Sequence, residues 1–354
     1  MAKDILDAVY GCLAGGAVGD ALGAPVEGWM FGEIREKYGK ITAFHPMGWA
    51  NGAKGKFTDD TTLRHYLCYA IVRKGGRVTP DDFARVWTEK LNNNRLWENE
   101  KITTIKLKQG MNPWDAGKGT IPAGSASMAI APIGIINAGN PSQAYQDGWN
   151  IAFVNQDGDN RDFAATFAAA TAAAFLPDAT WESVVQAFFD YGSSIVKRAM
   201  TLTMDLAVAS SSVDEFAEKF YAKLLDWTWP LPQWNKEKYF SGNSIEFVPV
   251  VPALLHLCKG DVEQCMIEGA SFGRDCDTIA SLAGNLAGAL QGAGAIRPDW
   301  IEFVTRANED FFVELEGDAR ADFLSMAKRL VEALKKERNA TAGRMEQLDS
   351  ILGS

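Results

Sequence analysis

Histidine and paired cysteine are scarce in this sequence, and their scarcity limits the metal chemistry it can support. Only three histidines occur among 354 residues, and none of the five cysteines belongs to a Cys-x-x-Cys pair. Zinc sites are commonly built from such side chains, so we do not expect a His-rich zinc site. An odd number of cysteines, mostly within apolar helical segments, predicts free thiols and a cytoplasmic location.

Long uninterrupted apolar runs and an excess of positive charge are also missing. The N-terminal segment carries an early acidic residue, so we expect neither a signal peptide nor a transmembrane span. Lys and Arg together number 35 against 45 Asp and Glu, which gives a net charge of −10. Because nucleic acids and membrane surfaces would repel such a chain, we expect it to bind neither.

Alternating strand patterns are scarce, and the short apolar candidate at 245–251 is interrupted by proline. Helical periodicity covers most of the rest, and no linker-like stretch separates two domains, so we predict an all-α protein. Loops are expected at 38–57, 92–127 and 226–247. The expected helices are 4–23, 61–73, 80–91, 142–153, 160–175, 180–208, 213–225, 262–272, 279–293, 298–314 and a long C-terminal run.

Two helices carry glycine at every fourth position. Gly11, Gly15, Gly19 and Gly23 form the first ladder, and Gly284, Gly288 and Gly292 form the second. This spacing places the glycines of each ladder on one helix face, where the missing Cβ lets another backbone approach closely. Glycine costs about 1 kcal/mol per helix position relative to alanine, which favours a packing role for both ladders.

Two acidic motifs precede apolar helical runs: Thr58-Asp59-Asp60-Thr61 and Asp275-Cys276-Asp277-Thr278. Either motif alone is typical of a helix N-cap. Both, however, contain more carboxylates than a cap uses, and neighbouring carboxylates repel each other unless a cation lies between them. Together they offer the oxygen ligands that hard divalent cations prefer.

Three blocks of the sequence resemble the ADP-ribosylglycohydrolase family, which includes the dinitrogenase reductase-activating glycohydrolases. They are residues 11–27, 58–61 and 273–278, and they occur in the order found in that family. The resemblance implies a compact, single-domain orthogonal helical bundle over residues 1–316, with a centre of two Mg²⁺ or Mn²⁺ ions. Residues 317–354 are charged and amphipathic, and we expect a helix packed on or next to the bundle in preference to a coiled-coil handle.

The resemblance also assigns roles by position. The implied catalytic residues are Glu27, Asp59 and Asp277, and which carboxylate acts as the base stays open. Asp20 is grouped with the substrate-binding residues; it is expected to hold its loop by hydrogen bonds, and a direct catalytic role is the alternative. The implied metal ligands are Thr58, Asp59, Asp60, Asp275, Asp277 and Thr278, and the implied substrate-binding stretch is Gly124, Ser125, Ala126, Ser127 and Met128.

The sequence departs from the family pattern in two places that concern substrate binding. Ala129 stands where many members have an arginine that contacts diphosphate, and residues 155–162 replace a histidine-bearing segment. Arg161 or Arg274 could compensate, although surface ion pairing is the expected use of both. Glu98 and Glu100 lie near where some relatives place a further acid. Aromatic residues in 226–247 either hold that loop on the core or form a stacking wall for a nucleobase.

Three functions are compatible with these observations. The first is hydrolysis of the N- or O-glycosidic bond at C1 of a ribose in an ADP-ribosylated substrate, most simply ADP-ribosyl-arginine on a protein. The second is the same chemistry on a smaller ribosylated or nucleoside-like metabolite, which the altered segments favour. The third is a non-catalytic binding or crystallin-like protein, which would have no physical need for so many carboxylates.

Overall fold

The computed structural model describes residues 4–227, 242–317 and 321–352. Every regular element within these ranges is helical, which confirms the all-α prediction. The α-helices are α1 (Ile5–Gly23), α2 (Phe31–Tyr38), α3 (Asp59–Lys74), α4 (Pro80–Lys90), α5 (Glu98–Lys108), α6 (Ser125–Ala129), α7 (Ala131–Ile136), α8 (Pro141–Ala152), α9 (Asn160–Ala174), α10 (Trp181–Tyr191), α11 (Ser194–Val208), α12 (Val213–Trp227), α13 (Ser244–Leu257), α14 (Val262–Ala270), α15 (Cys276–Gln291), α16 (Pro298–Ala307), α17 (Glu309–Glu316) and α18 (Phe323–Leu352).

Helices α1 and α15 run antiparallel through the centre, and the two glycine ladders are each other's contact surface. A Cβ on Gly15 would lie 2.4 Å from the Gly284 carbonyl oxygen, and one on Gly288 would lie 2.1 Å from that of Gly11. At the end of the ladder, a Cβ on Gly23 would meet the Asp277 backbone at 2.4 Å. The glycines therefore bring the end of α1 directly against the start of α15.

Helix α1 is also apolar and long enough to cross a membrane by composition alone. In this fold, 78% of its most apolar 18-residue stretch is buried. The helix packs against α14, α15, α16 and α18. The segment is thus used as the central helix of the core.

Several expected boundaries were wrong. The region 92–127 was expected to be a loop but contains α5 and begins α6, and residues 180–208 and 298–314 each form two helices. Helix α13 was missed because Pro249 and Pro252 lie inside it. Each proline removes one backbone hydrogen bond, yet the surrounding residues from 246 to 255 are fully or almost fully buried, and this packing outweighs the loss.

Helix α18 has two different halves. Its first half packs into the core, with Phe323, Met326, Leu330 and Val331 buried, whereas almost all side chains beyond 334 are exposed. The aromatic-rich segment of the expected loop, with Trp229, Trp234, Tyr239 and Phe240, lies outside the described residues, as does the side chain of Trp227.

Candidate active site

Each acidic motif is held at the beginning of a helix. Thr58 is the N-cap of α3, and its hydroxyl accepts a hydrogen bond from the Asp60 amide at 3.3 Å. Asp275 occupies the N-cap position of α15, after a turn in which Gly273 and Arg274 have φ of +90° and +58°. Helix N-termini favour negative charge, so both sites tolerate their carboxylates better than a helix interior would.

The two motifs meet in space. The Thr278 hydroxyl lies 3.3 Å from Asp60 Oδ2 and 3.0 Å from Asp275 Oδ1. The Thr58 hydroxyl lies 3.4 Å from the same Asp60 oxygen. Hydroxyl and carboxylate groups from both ends of the chain therefore form one oxygen-rich cluster.

This cluster forms the floor of a cavity of about 750 Å³, within the size range of small-molecule sites. Glu27 and all six predicted metal ligands line the cavity. Its rim carries the aromatic rings of Trp49 and Trp97, whose side chains are 62% and 41% exposed. The cavity thus has carboxylates at its floor and the rings of Trp49 and Trp97 at its rim.

The acidic floor has the properties of a site for hard cations. One carboxylate oxygen from each of Glu27, Asp275 and Asp277 can be chosen so that all three lie within 4.8 Å of one another. Asp60 Oδ1 and Asp277 Oδ1 are buried and have no hydrogen-bond partner. A buried, unpartnered carboxylate oxygen is costly, and a divalent cation would satisfy it. The residues present therefore fit Mg²⁺ or Mn²⁺.

Burial and mutual repulsion raise the pKa values of these carboxyl groups when no cation is bound. Burial, followed by the charges of Asp59 and Asp20, raises the pKa of Glu27 to about 7, although its side chain is open to the cavity on one side. Burial raises the pKa of Asp59 to about 6. Asp60 and Asp277 are almost fully buried at the cavity floor, and burial raises their pKa values well above the ordinary range.

Asp20 lies behind the cavity wall. It is fully buried, and its two oxygens accept hydrogen bonds from the Thr58 amide (2.9 Å) and from the Thr61 amide and hydroxyl (3.0 and 2.6 Å). Both of its oxygens are therefore used to hold the first turn of α3. This geometry supports a positioning role for Asp20, which is not among the residues that line the cavity.

Arg64 lies beneath the acidic floor and was not singled out from the sequence. Its guanidinium is fully buried and donates hydrogen bonds to Thr61 (2.7 Å), Ser281 (2.8 Å) and Asn285 (3.1 Å). Its positive charge lowers the pKa values of Asp20 and Asp60, opposing the larger effect of burial. Arg64 thus ties α3 to α15 and offsets part of the negative charge above it.

Glu100 is a cavity residue that the sequence left undecided. It is 1% exposed, accepts a hydrogen bond from Ser125 on one oxygen and has no partner on the other. Burial and the charge of Asp59 raise its pKa to about 8, so it can hold a proton at neutral pH. Glu98, by contrast, points into solvent and pairs with Lys101.

The predicted substrate-binding stretch is split by the structure. Gly124, Ser125 and Met128 line the cavity. Ala126 and Ser127 are buried and do not belong to its lining; the Ser127 hydroxyl lies 3.0 Å from that of Ser244. The last two residues therefore support α6 and do not face a ligand.

Surface ion pairing was expected for Arg161 and Arg274, and the structure places Arg274 differently. Arg274 is not at the surface but forms a buried two-point ion pair with Glu246, at 2.5 and 3.0 Å. Arg161 forms an ion pair with Asp157 at 4.0 Å, as expected, although its own side chain is only 16% exposed. Its guanidinium lies over the Phe153 ring, 4.1 Å from the centroid. Neither arginine is among the residues that line the cavity. The described lining includes one arginine, Arg95, whose guanidinium donates to carboxylates of α17.

Comparison with known proteins gives a consistent result. A sequence model of the ADP-ribosylglycohydrolase family matches residues 1–340. An uncharacterized protein of Escherichia coli (strain K12), YegU, is 28% identical over 306 residues, covering 82% of this chain and 89% of that protein. The ADP-ribosyl-[dinitrogen reductase] glycohydrolase of Rhodospirillum rubrum is 26% identical over 316 residues, covering 83% and 89%.

The fold is also similar to a solved structure described as an ADP-ribosylglycohydrolase-related protein complex. The TM-score is 0.65 at 20% sequence identity, and the match covers 92% of this chain and 99% of that chain. At this level of identity the similarity establishes the fold and nothing more specific.

Proposed function

This chain belongs to the ADP-ribosylglycohydrolase family, and from that premise we propose that it is a metal-dependent hydrolase of ribosyl bonds. The bond cleaved is the N- or O-glycosidic bond at C1 of a ribose in an ADP-ribosylated substrate. The observation that carries the proposal is the cluster of carboxylates at the cavity floor, where Asp60 and Asp277 each keep one buried oxygen without a partner. The printed name of the Rhodospirillum rubrum relative supports the ADP-ribosyl substrate.

The metal ligands in this proposal are Thr58, Asp59, Asp60, Asp275, Asp277 and Thr278. When bound there, divalent cations would supply Lewis-acid polarisation and hold ribose hydroxyl groups in place. The carboxylates that remain near C1 would stabilise the positive charge that develops there as the aglycone departs.

In this proposal two groups move protons. Glu27 lies beside Asp275 and Asp277 and is open to the cavity, so it can take a proton from the attacking water. Glu100 lies on another wall, is shielded from solvent and has one free carboxyl oxygen. We propose that the neutral carboxyl of Glu100 donates a proton or a hydrogen bond to the departing aglycone.

The test is hydrolysis of ADP-ribosyl-arginine by the full chain with Mg²⁺ or Mn²⁺ and, in parallel, with excess chelator. Asp277→Asn should abolish turnover, whereas Asp299→Asn should not, because Asp299 is exposed and pairs with Arg297 on the surface. Full turnover in excess chelator would contradict the proposal.

A second candidate function keeps the chemistry but changes the substrate to a smaller ribosylated or nucleoside-like metabolite. Among the described cavity residues the cationic side chain is Arg95, and Asp310 and Glu314 already engage it at 2.9 and 3.0 Å. Ala129, at the position of the family arginine, is buried. Parallel assays on ADP-ribosylated protein, ADP-ribosyl-arginine and simple ribosides separate the two candidates, since hydrolysis of ribosides alone would favour the second.

A further inference from the structure

The second half of α18, residues 335–352, extends beyond the helical body; we call it the α18 extension. Its apolar side chains are open to solvent, with Met345 59%, Ile351 78% and Leu352 77% exposed. In the part of the chain that the structure describes, nothing buries this surface. Large apolar side chains that cluster on one exposed helix usually mark an interaction site.

The extension also lacks the means to be stable by itself. A single helix of this length is marginal in water, and Asn339, Thr341 and Gly343 are poor helix formers. The core anchors the first half of α18, and this apolar contact ends near Leu334, which is only partly buried. Just beyond it, the Glu337 carboxylate accepts a hydrogen bond from the Arg77 amide at 3.3 Å. The extension therefore needs a partner to remain helical.

The apolar pattern indicates another helix as that partner. Starting at Leu334, steps of four and three residues alternate to the end of the helix, as in a coiled-coil seam. The seam positions are Leu334, Arg338, Thr341, Met345, Leu348 and Leu352, of which four are apolar, while Arg338 and Thr341 interrupt the apolar seam. This sequence of positions is symmetric about residue 343, so it can pair with itself in the opposite direction.

The charges favour the same antiparallel arrangement. Residues 335–344 contain four basic side chains and one acidic side chain, a net charge of +3. Residues 345–352 contain Glu346 and Asp349 and no basic side chain, a net charge of −2. Antiparallel pairing places each basic half against an acidic half.

We propose that the α18 extensions of two copies of this chain form an antiparallel two-helix coiled coil, which makes the protein a homodimer. The two-fold axis passes near Gly343. Leu334 then faces the partner's Leu352, Arg338 faces the partner's Leu348, and Thr341 faces the partner's Met345. A two-fold axis produces a closed, self-complementary interface, which is the commonest form of homo-oligomer.

The experiment is light scattering coupled to size exclusion on the full chain at micromolar concentration. The wild-type chain should have twice the 38.6 kDa mass of one copy. Leu348→Glu should give the monomer mass. Gln347→Glu introduces the same charge at the preceding residue, which lies outside the seam, and this variant should remain a dimer. Circular dichroism confirms that the body of each variant is folded.

Pairing direction has its own test, which is disulfide cross-linking under mild oxidation. Thr341→Cys combined with Met345→Cys should link two copies efficiently, and Met345→Cys alone should link them poorly, with the wild-type chain as the background. A monomeric wild-type chain, a dimeric Leu348→Glu variant, or efficient linking by Met345→Cys alone would overturn the proposal. None of these outcomes bears on hydrolysis, so the proposed function stands or fails separately.

Discussion

The Thr278 hydroxyl lies 3.3 Å from the Asp60 carboxylate, although 218 residues separate them in the chain. The contact follows from backbone packing far from the acidic groups. Glycines of α1 and α15 face each other along the two central helices, and the last of them, Gly23, sits against the Asp277 backbone. The loop after α1 then carries Glu27 to the same cluster.

The glycine contact gives the first prediction. In Gly19→Ala, the new Cβ would lie 2.2 Å from the Ala280 carbonyl oxygen, so α1 and α15 must move apart. We expect the free energy of unfolding, measured by denaturant titration, to fall by about 1–3 kcal/mol or more. Gly32→Ala is the control, because a Cβ there meets nothing within 4 Å. Equal stability of the two variants would contradict this packing.

Removing one carboxylate from the acidic floor should have opposite effects on metal binding and on stability. Asp60→Asn removes a buried carboxyl whose ionised form is repelled by its neighbours. In excess chelator, at a pH where these carboxyls are ionised, the free energy of unfolding should therefore rise by about 1–2 kcal/mol. The same variant should bind Mn²⁺ more weakly and gain less thermal stability from added Mn²⁺ than the wild type. Calorimetry with and without Mn²⁺ measures both effects, and a destabilised metal-free variant would argue against repulsion at this site.

The two glutamates of α5 form a matched pair for testing catalysis. Glu100→Gln removes the carboxyl group that lines the cavity, and we expect kcat/KM to fall by at least about tenfold. Glu98→Gln changes a solvent-exposed carboxylate in the same turn and should leave kcat/KM unchanged. Similar values for both variants would remove Glu100 from the mechanism.

The raised pKa values predict how the stability of the metal-free protein depends on pH. The folded carboxyls bind protons more tightly than the unfolded ones, so their contribution to stability is fully present at low pH and is lost as these groups ionise in the folded protein. The window begins at the ordinary pKa values of Asp and Glu, 3.8 and 4.5, and runs through the raised pKa values of Asp59, Glu27 and Glu100, about 6, 7 and 8. The melting temperature in chelator should fall across this range, and saturating Mn²⁺ should reduce the slope. A melting temperature that rises with pH in chelator would contradict the raised pKa values of these carboxyls.

The sequence predicted the features that depend on local pattern and spacing. Helix periodicity predicted the all-α class, and the excess of carboxylates at Asp59, Asp60, Asp275 and Asp277 predicted a shared oxygen-rich cluster. The spacing of the glycines predicted close backbone approach, but it did not show that the two ladders contact each other. That relationship is tertiary and leaves no signal in either segment alone.

Other features were hidden because packing overrides local preference. The prolines of α13 argued against a helix, and only its almost complete burial explains it. In α5, Glu100 shares a helix face with Thr103, Thr104 and Leu107, all buried. This spacing was available in the sequence and would have separated Glu100 from Glu98. The polar residues around it made the segment resemble a loop.

The proposed hydrolysis requires divalent cations bound between the first turn of α3 and the first turn of α15. An anomalous-difference map from a crystal of the full chain soaked in Mn²⁺ tests this directly. We expect peaks within coordination distance of Asp60 and Asp277, at the oxygens that lack a hydrogen-bond partner. A fully soaked crystal with no peak at these carboxylates, or with Mn²⁺ only on the surface, would contradict the metal centre.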